Sequence, residues 1–170
     1  MKKLMLIGKT GCGKTTLSQS MQGMALVYRK TQAVHYSDWI VDTPGEFSEN
    51  RRFYSALMAS CTNCNIVGFV QDATAVGCIF PPKFASMLNK QTIGIISKTD
   101  LAGANIERAE KFLRWAGAQT IFQTSSLEKT GITTIIAWLG HRQPVPTYPN
   151  QENMSQNSLP QGVSPRESEE

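Results

Sequence analysis

Eight residues near the start, Gly8-Lys9-Thr10-Gly11-Cys12-Gly13-Lys14-Thr15, carry the clearest chemistry in this chain. They read Gly-x-x-x-x-Gly-Lys-Thr, a loop whose successive backbone N–H groups curl around phosphate oxygens. Gly8 and Gly13 let the backbone turn tightly and approach phosphates without a Cβ in the way. Lys14 would reach the β- and γ-phosphates as a point charge and neutralise charge that develops there. The Thr15 hydroxyl is a ligand type for Mg²⁺, a hard cation that keeps oxygen ligands. Thr16 continues into a helix whose positive end faces the anion. Cys12 lies inside the loop, where oxidation of its thiol would obstruct a ligand.

A second group follows. Asp42-Thr43-Pro44-Gly45 comes one strand after the loop. At that position Asp42 would hold a Mg²⁺-bound water, and the Gly45 N–H would meet a γ-phosphate, so that the loop senses triphosphate against diphosphate. Thr31, in a polar connection, could supply a second hydroxyl to the metal. Ser97-Lys98-Thr99-Asp100 resembles the base-reading Asn/Thr-Lys-x-Asp of GTPases. Guanine presents N1–H and a 2-amino group side by side, and one carboxylate, Asp100, accepts both. Adenine offers an acceptor at N1 and no 2-amino group. The Lys98 stem would lie along the base. Ser97 keeps a hydroxyl but reaches less far than Asn. Thr124-Ser125-Ser126 stands where a backbone N–H would meet guanine O6; a polar loop that caps the next helix is the competing reading.

These residues must be positioned by a scaffold. Lys3–Gly8 reads as a short, continuously apolar central strand, and Lys14 to about Met24 as a helix. Residues 33–36 and 39–42 read as two strands turning at Ser37-Asp38, with His35 as a strand residue. Arg51 to about Ser60 reads as a helix burying Phe53, Leu57 and Met58. Strands follow at 66–70, 93–96 and 120–122, with a short helix through Met87. Asn105 suits an N-cap for an amphipathic helix ending near Gly117. Thr130 is expected to cap a last helix burying Ile132, Ile135, Ile136 and Leu139, and Trp115 and Trp138 are expected in or beside the core. Strands alternating with helices imply an α/β fold, a doubly wound and mostly parallel sheet. Ligands of such sheets sit at the carboxyl ends of the strands, where every motif above falls.

The chain has 170 residues and 41% hydrophobic content, suiting one domain over residues 1–142. No apolar run approaches the roughly 20 residues of a membrane span. The apolar start breaks at Gly8, too early for a secretory leader, so a cytoplasmic location is expected. From Gln143 the chain is rich in Pro, Gln, Asn, Ser and Glu, which cannot bury enough surface to offset ordering, so residues 143–170 read as a disordered tail. That tail carries net −3 against +4 overall, leaving +7 in front. Positive charge serves phosphates, and without interleaved aromatics it does not indicate nucleic-acid binding. Cys61 and Cys64 form a CxxC; with no second CxxC and His35 and His141 far away in sequence, they read as the end of a helix rather than a metal or redox site. No residue pattern sets an oligomeric state.

The set GKTGCGKT, Thr31, DTPG, SKTD and TSS is similar to small P-loop GTPases of the translation-factor-related class, over about residues 1–142. GKTGCGKTTL, Tyr28–Ala33, DTPGE with Asn50-Arg51 and Tyr54–Leu57, and Trp115–Gln119 resemble more closely the EutP/PduV family of ethanolamine and propanediol utilisation. The resemblance implies a P-loop NTPase with small-GTPase-like topology, taking Mg²⁺ and GTP or GDP. It implies an accessory protein of bacterial ethanolamine or propanediol breakdown, with microcompartment shell or pathway enzymes as partners. Glu46 follows DTPG where Ras-like GTPases use Gln to orient water. Glu46 could act as a base there, but its charge faces a γ-phosphate, so intrinsic hydrolysis is expected to be slow and to need a partner or dimerisation. The alternatives are a phosphotransferase to a small carboxylate such as acetate, an ATP-binding protein of the same pathway, and a targeting or scaffold module that binds nucleotide structurally.

Overall fold

The computed structural model describes residues 2–27 and 30–140. The expected domain end at residue 142 and the tail from 143 lie outside the described residues. In chain order the elements are β1 Leu4–Gly8, α1 Lys14–Met21, β2 His35–Tyr36, β3 Ile40–Asp42, α2 Glu46–Glu49, a 3-10 turn Arg51–Phe53, α3 Tyr54–Cys61, β4 Ile66–Asp72, α4 Ala85–Leu88, β5 Gln91–Ser97, α5 Ile106–Ala116, β6 Thr120–Gln123 and α6 Ile132–Trp138. Six strands make one sheet in the order β2-β3-β1-β4-β5-β6. All neighbours are parallel except the β2–β3 hairpin.

A parallel strand covered on both faces must be apolar at every position. Leu4, Met5, Leu6 and Ile7 satisfy this, each 0% exposed. Strand alternation then divides them. Met5 and Ile7 pack with Leu57, Phe69, Phe84 and Leu113; Leu4 and Leu6 pack with Leu17, Met21 and Ile135. Helices α3, α4 and α5 therefore cover one face, and α1 and α6 the other. This is the mixed, doubly wound α/β sheet that the strand–helix alternation predicts. The chain leaves β1 toward β3 on one side and later returns to β4 on the other, so the strand order reverses at β1. The loop after β1 stands in the crevice that such a reversal opens.

Several local expectations hold. Asn105 caps α5 by accepting the Arg108 N–H at 2.8 Å, and Gly117 ends that helix at φ 100°. Ile132, Ile135, Ile136 and Leu139 are buried. Others need correction. Helix α1 stops at Met21, short of Met24, because Gly23 takes φ 67°. The helix expected from Arg51 is a 3-10 turn followed by α3, and α2 precedes it. Asn50 caps that turn by accepting the Arg52 N–H at 3.0 Å. Leu57 is buried, but Phe53 and Met58 are exposed. Phe53 stacks on Phe47 at 5.4 Å near the surface instead. Thr130 does not cap α6: Gly131 holds the N-cap at φ 71°, while the Thr130 carbonyl accepts from Ser125 N at 3.2 Å. Trp115 is 66% exposed, outside the core. Trp138 meets Phe122 edge-on at 5.7 Å, beside the core as expected. Cys61 ends α3 and Cys64 lies just beyond it; both are buried, free thiols. Their shared hydrogen bond and burial push the Cys61 thiol up. Among the described residues, no group of three or more His, Cys, Asp or Glu is placed to hold a metal, and no helix is long and apolar enough to cross a membrane.

Candidate functional site

The loop after β1 is shaped by two left-handed glycines, Gly11 at φ 78° and Gly13 at φ 96°. Gly8 lets the strand end pass close to its neighbour, since a Cβ there would sit 2.4 Å from the Val70 carbonyl oxygen. Helix α1 begins at Lys14 with no acidic residue in its first turn and no side chain capping its N-terminus. Its free N–H groups and the positive end of its dipole therefore face the cavity above them. Lys14 is 5% exposed, and its Nζ donates to the carbonyls of Gly8 and Lys9, each at 2.9 Å. The ammonium is folded against its own loop, which satisfies a cation that would otherwise be buried unpaired.

Beside it, three side chains far apart in sequence converge. The Thr15 hydroxyl donates to Asp42 Oδ2 at 2.7 Å, and the Thr31 hydroxyl donates to the same oxygen at 3.0 Å. The two hydroxyls lie 2.7 Å from each other. Asp42, at the end of β3, is 4% exposed, and its Oδ1 is buried without a hydrogen-bond partner. An all-oxygen cluster with an orphaned carboxylate oxygen is a donor set that a hard divalent cation fits.

A cavity of about 190 Å³ lies over this cluster, lined by Thr10, Gly11, Gly13, Lys14, Thr15, Thr16, Val27, Lys30, Thr31, Thr43, Gly45 and Lys98. A second cavity, about 240 Å³, is lined by Gly13, Thr16, Ser97, Lys98, Asp100, Leu101, Ser126 and Leu127. Gly13, Thr16 and Lys98 line both, so the two form one elongated cleft. Its first part is faced by N–H groups and cations. Its second part is walled by Leu101, Leu127 and the Lys98 stem, with Asp100 among them.

The tie between the parts is short. The Ser97 hydroxyl donates to the Cys12 carbonyl at 2.6 Å. Lys98, at φ 57°, pairs with Asp72 at 2.6 Å. Asp72 also accepts from Thr74 N and the Thr74 hydroxyl. Burial raises the Asp72 carboxyl, but the bonds from Lys98 and Thr74 outweigh it and hold it below the usual carboxylate range.

Other sequence-selected residues stand elsewhere. Gly8, Lys9 and Cys12 do not line these two cavities; Lys9 and Cys12 line an adjoining one of about 160 Å³ that shares Thr10 and Gly11 with the first. Burial pushes the Cys12 thiol up, which disfavours the reactive thiolate. Ser125 is fully buried, its hydroxyl accepting from Glu128 N at 3.1 Å. Glu46 is off the cleft: its carboxylate pairs with Lys30 Nζ at 3.0 Å. Glu49, unmarked by any motif, approaches the loop after β1 instead. Its Oε1 accepts the Thr10 N–H at 2.5 Å, and this bond, with Lys9 and Lys14 nearby, holds its carboxyl low. Ser48 also donates to the Gly8 carbonyl at 2.9 Å. Lys30, Leu101 and Leu127, which line the cleft, and Asp72, which reaches it through Lys98, were likewise missed, because only the folded arrangement brings them there.

The family-wide sequence model of PduV-EutP, described as "Ethanolamine utilisation - propanediol utilisation", matches residues 1–141. The chain belongs to the PduV–EutP family. The "Propanediol utilization protein PduV" of Citrobacter freundii is 45% identical over 144 residues, covering 84% of this chain and 96% of that protein. The "Probable acetate kinase EutP" of Escherichia coli (strain K12) is 31% identical over 142 residues, covering 82% of this chain and 89% of that protein. The protein of the same description from Salmonella typhimurium is 30% identical with the same coverage. Membership of this family places the chain among the ethanolamine and propanediol utilisation proteins.

Proposed function

We propose that the protein is a P-loop NTPase of small-GTPase-like topology that binds a guanine nucleotide with Mg²⁺ and hydrolyses GTP. In this reading it serves ethanolamine or propanediol utilisation beside a microcompartment shell or pathway enzyme. The observation that carries this reading is the convergence of Thr15, Thr31 and Asp42 beneath one half of a cleft whose other half holds Asp100. Thr15, Thr31 and Asp42 would hold Mg²⁺, which supplies charge neutralisation at phosphate oxygens. The N–H groups of Gly11, Gly13, Lys14 and Thr15 would cradle the phosphates, since Glu49 holds the Thr10 N–H and the Lys9 carbonyl the Cys12 N–H, and Lys14 leaves the Gly8 and Lys9 carbonyls to contact them. The Gly45 N–H meets the terminal phosphate. Leu101, Leu127 and the Lys98 stem cover the base faces, Asp100 accepts from its N1–H and 2-amino group, and a backbone N–H at Ser126 donates to O6, the Ser125 N–H being held by the Thr130 carbonyl.

Titration with fluorescent GDP and ADP, with and without Mg²⁺, tests this on wild type and Asp100→Asn. Loss of one bidentate charged contact should cost Asp100→Asn roughly ten- to hundredfold in GDP affinity and leave ADP unchanged. Equal affinity of wild type for both nucleotides would sink the base assignment.

A second reading is phosphoryl transfer to a small carboxylate. The name of the E. coli relative favours it, and so does the position of Glu46, which leaves no carboxylate among the described residues that line the phosphate half of the cleft. Incubation with GTP or ATP and acetate separates the two: acetyl phosphate as product supports transfer, and inorganic phosphate alone discards it.

A further inference from the structure

We infer that Lys30 is a ligand for the terminal phosphate of a nucleoside triphosphate, and that Glu46 holds it in reserve when that phosphate is absent. The inference rests on the nucleotide reading above and adds a residue to it.

Direction along the cleft comes first. The base half and the phosphate half share Gly13, Thr16 and Lys98, which therefore mark the junction. Lys30, Thr31, Thr43 and Gly45 line the phosphate half alone. Thr31 belongs to the oxygen cluster with Thr15 and Asp42. Lys30 adjoins it in the chain, and its ammonium is drawn toward Gly45's neighbour, Glu46, at 3.0 Å. A cation on the cleft wall is thus paired with a carboxylate that does not line the cleft. The pair joins the connection before β2 to the first residue of α2, the two segments that flank a terminal phosphate in this arrangement.

The energetics favour exchange. Both side chains of the pair are more than half exposed, at 57% and 55%, so their attraction is largely screened and costs little to break. A terminal phosphate inside the cleft carries more negative charge than one carboxylate and sits in less water. A lysine contact to it is a charge-assisted bond in a shielded setting. Lys14, once it leaves the Gly8 and Lys9 carbonyls, reaches the phosphates from the helix side. Lys30 supplies charge from the opposite wall. A diphosphate leaves the distal end empty, so Lys30 stays with Glu46. Glu46 therefore competes with the terminal phosphate for Lys30 instead of orienting water.

The experiment is a double-mutant cycle on the full chain with Mg²⁺. Dissociation constants are measured for the diphosphate and a non-hydrolysable triphosphate analogue, with guanine and in parallel with adenine, for wild type, Lys30→Gln, Glu46→Gln and the double variant. Lys30→Gln should weaken triphosphate binding roughly ten- to hundredfold and leave diphosphate binding nearly unchanged. Lys30→Arg should restore most of it. Glu46→Gln should tighten triphosphate binding, and this gain should vanish in the double variant. An unchanged triphosphate-to-diphosphate ratio in Lys30→Gln overturns the assignment, as does a Glu46→Gln gain that persists without Lys30. Wild type that binds no nucleotide at all overturns the nucleotide reading itself and this inference with it.

Discussion

Asp42→Asn separates what this carboxylate does for folding from the metal-holding role proposed for it. Asp42 is 4% exposed, accepts two hydroxyl bonds on Oδ2, and has no partner on Oδ1. A buried polar atom without a partner costs about 1–3 kcal/mol, and more when charged. Asn keeps an oxygen for Thr15 and Thr31 and exchanges the unpartnered oxygen of a charged group for the nitrogen of a neutral amide, which costs less to bury. Metal-free Asp42→Asn should therefore be at least as stable as wild type, by up to about 2 kcal/mol. For a chain of this size each 1 kcal/mol moves the melting temperature by about 2–4 °C. With saturating GDP, wild type should gain a further Mg²⁺-dependent shift, since a ligand at a hundred times its Kd adds about 2.7 kcal/mol. Asp42→Asn should lose the Mg²⁺-dependent part. Scanning calorimetry in EDTA and in Mg²⁺, each with GDP, reads both effects. A metal-free variant melting several degrees below wild type, or one retaining the full Mg²⁺ shift, would refute the argument that this atom is left open for a cation.

Three further outcomes are expected. Gly45→Ala should destabilise by about 1–3 kcal/mol in urea unfolding, because its Cβ would sit 2.3 Å from Thr10 N and Oγ1 and 2.5 Å from Thr10 Cα. Glu49 has a folded-state pKa below its unfolded value, so its bond to Thr10 N stabilises above the ordinary glutamate range and is lost as pH falls through the folded value. The stability gap between wild type and Glu49→Gln, followed by urea titration from pH 7 downward, should thus be flat near neutrality and close in acid. Trp115→Gln should change stability by no more than about 0.5 kcal/mol by the same assay, since the ring is exposed.

The readable parts were those in which local chemistry and element type agree. The apolar run before Gly8, the Asn105 cap and the Gly117 stop each need only neighbouring residues. The cleft was legible because motif spacing on a doubly wound sheet brings strand ends together. Trp115 misled because an aromatic ring says nothing of which side of α5 is left uncovered. Thr130 misled because Gly131, at a left-handed φ, supplied the chain reversal itself. Glu49 and Lys30 were invisible for a different reason. Their partners, Thr10 and Glu46, lie at the ends of other segments, and no period or motif links them.

The Ser97 hydroxyl on the Cys12 carbonyl has a thermodynamic consequence. It fastens the strand end that carries Asp100 to the loop that carries Lys14. Whatever orders one segment lowers the entropy still to be lost by the other. A base fragment and a polyphosphate fragment should therefore bind with positive cooperativity, each raising the other's affinity by the same factor. On the proposed reading, one hydroxyl group would make two half-sites answer as a single receptor.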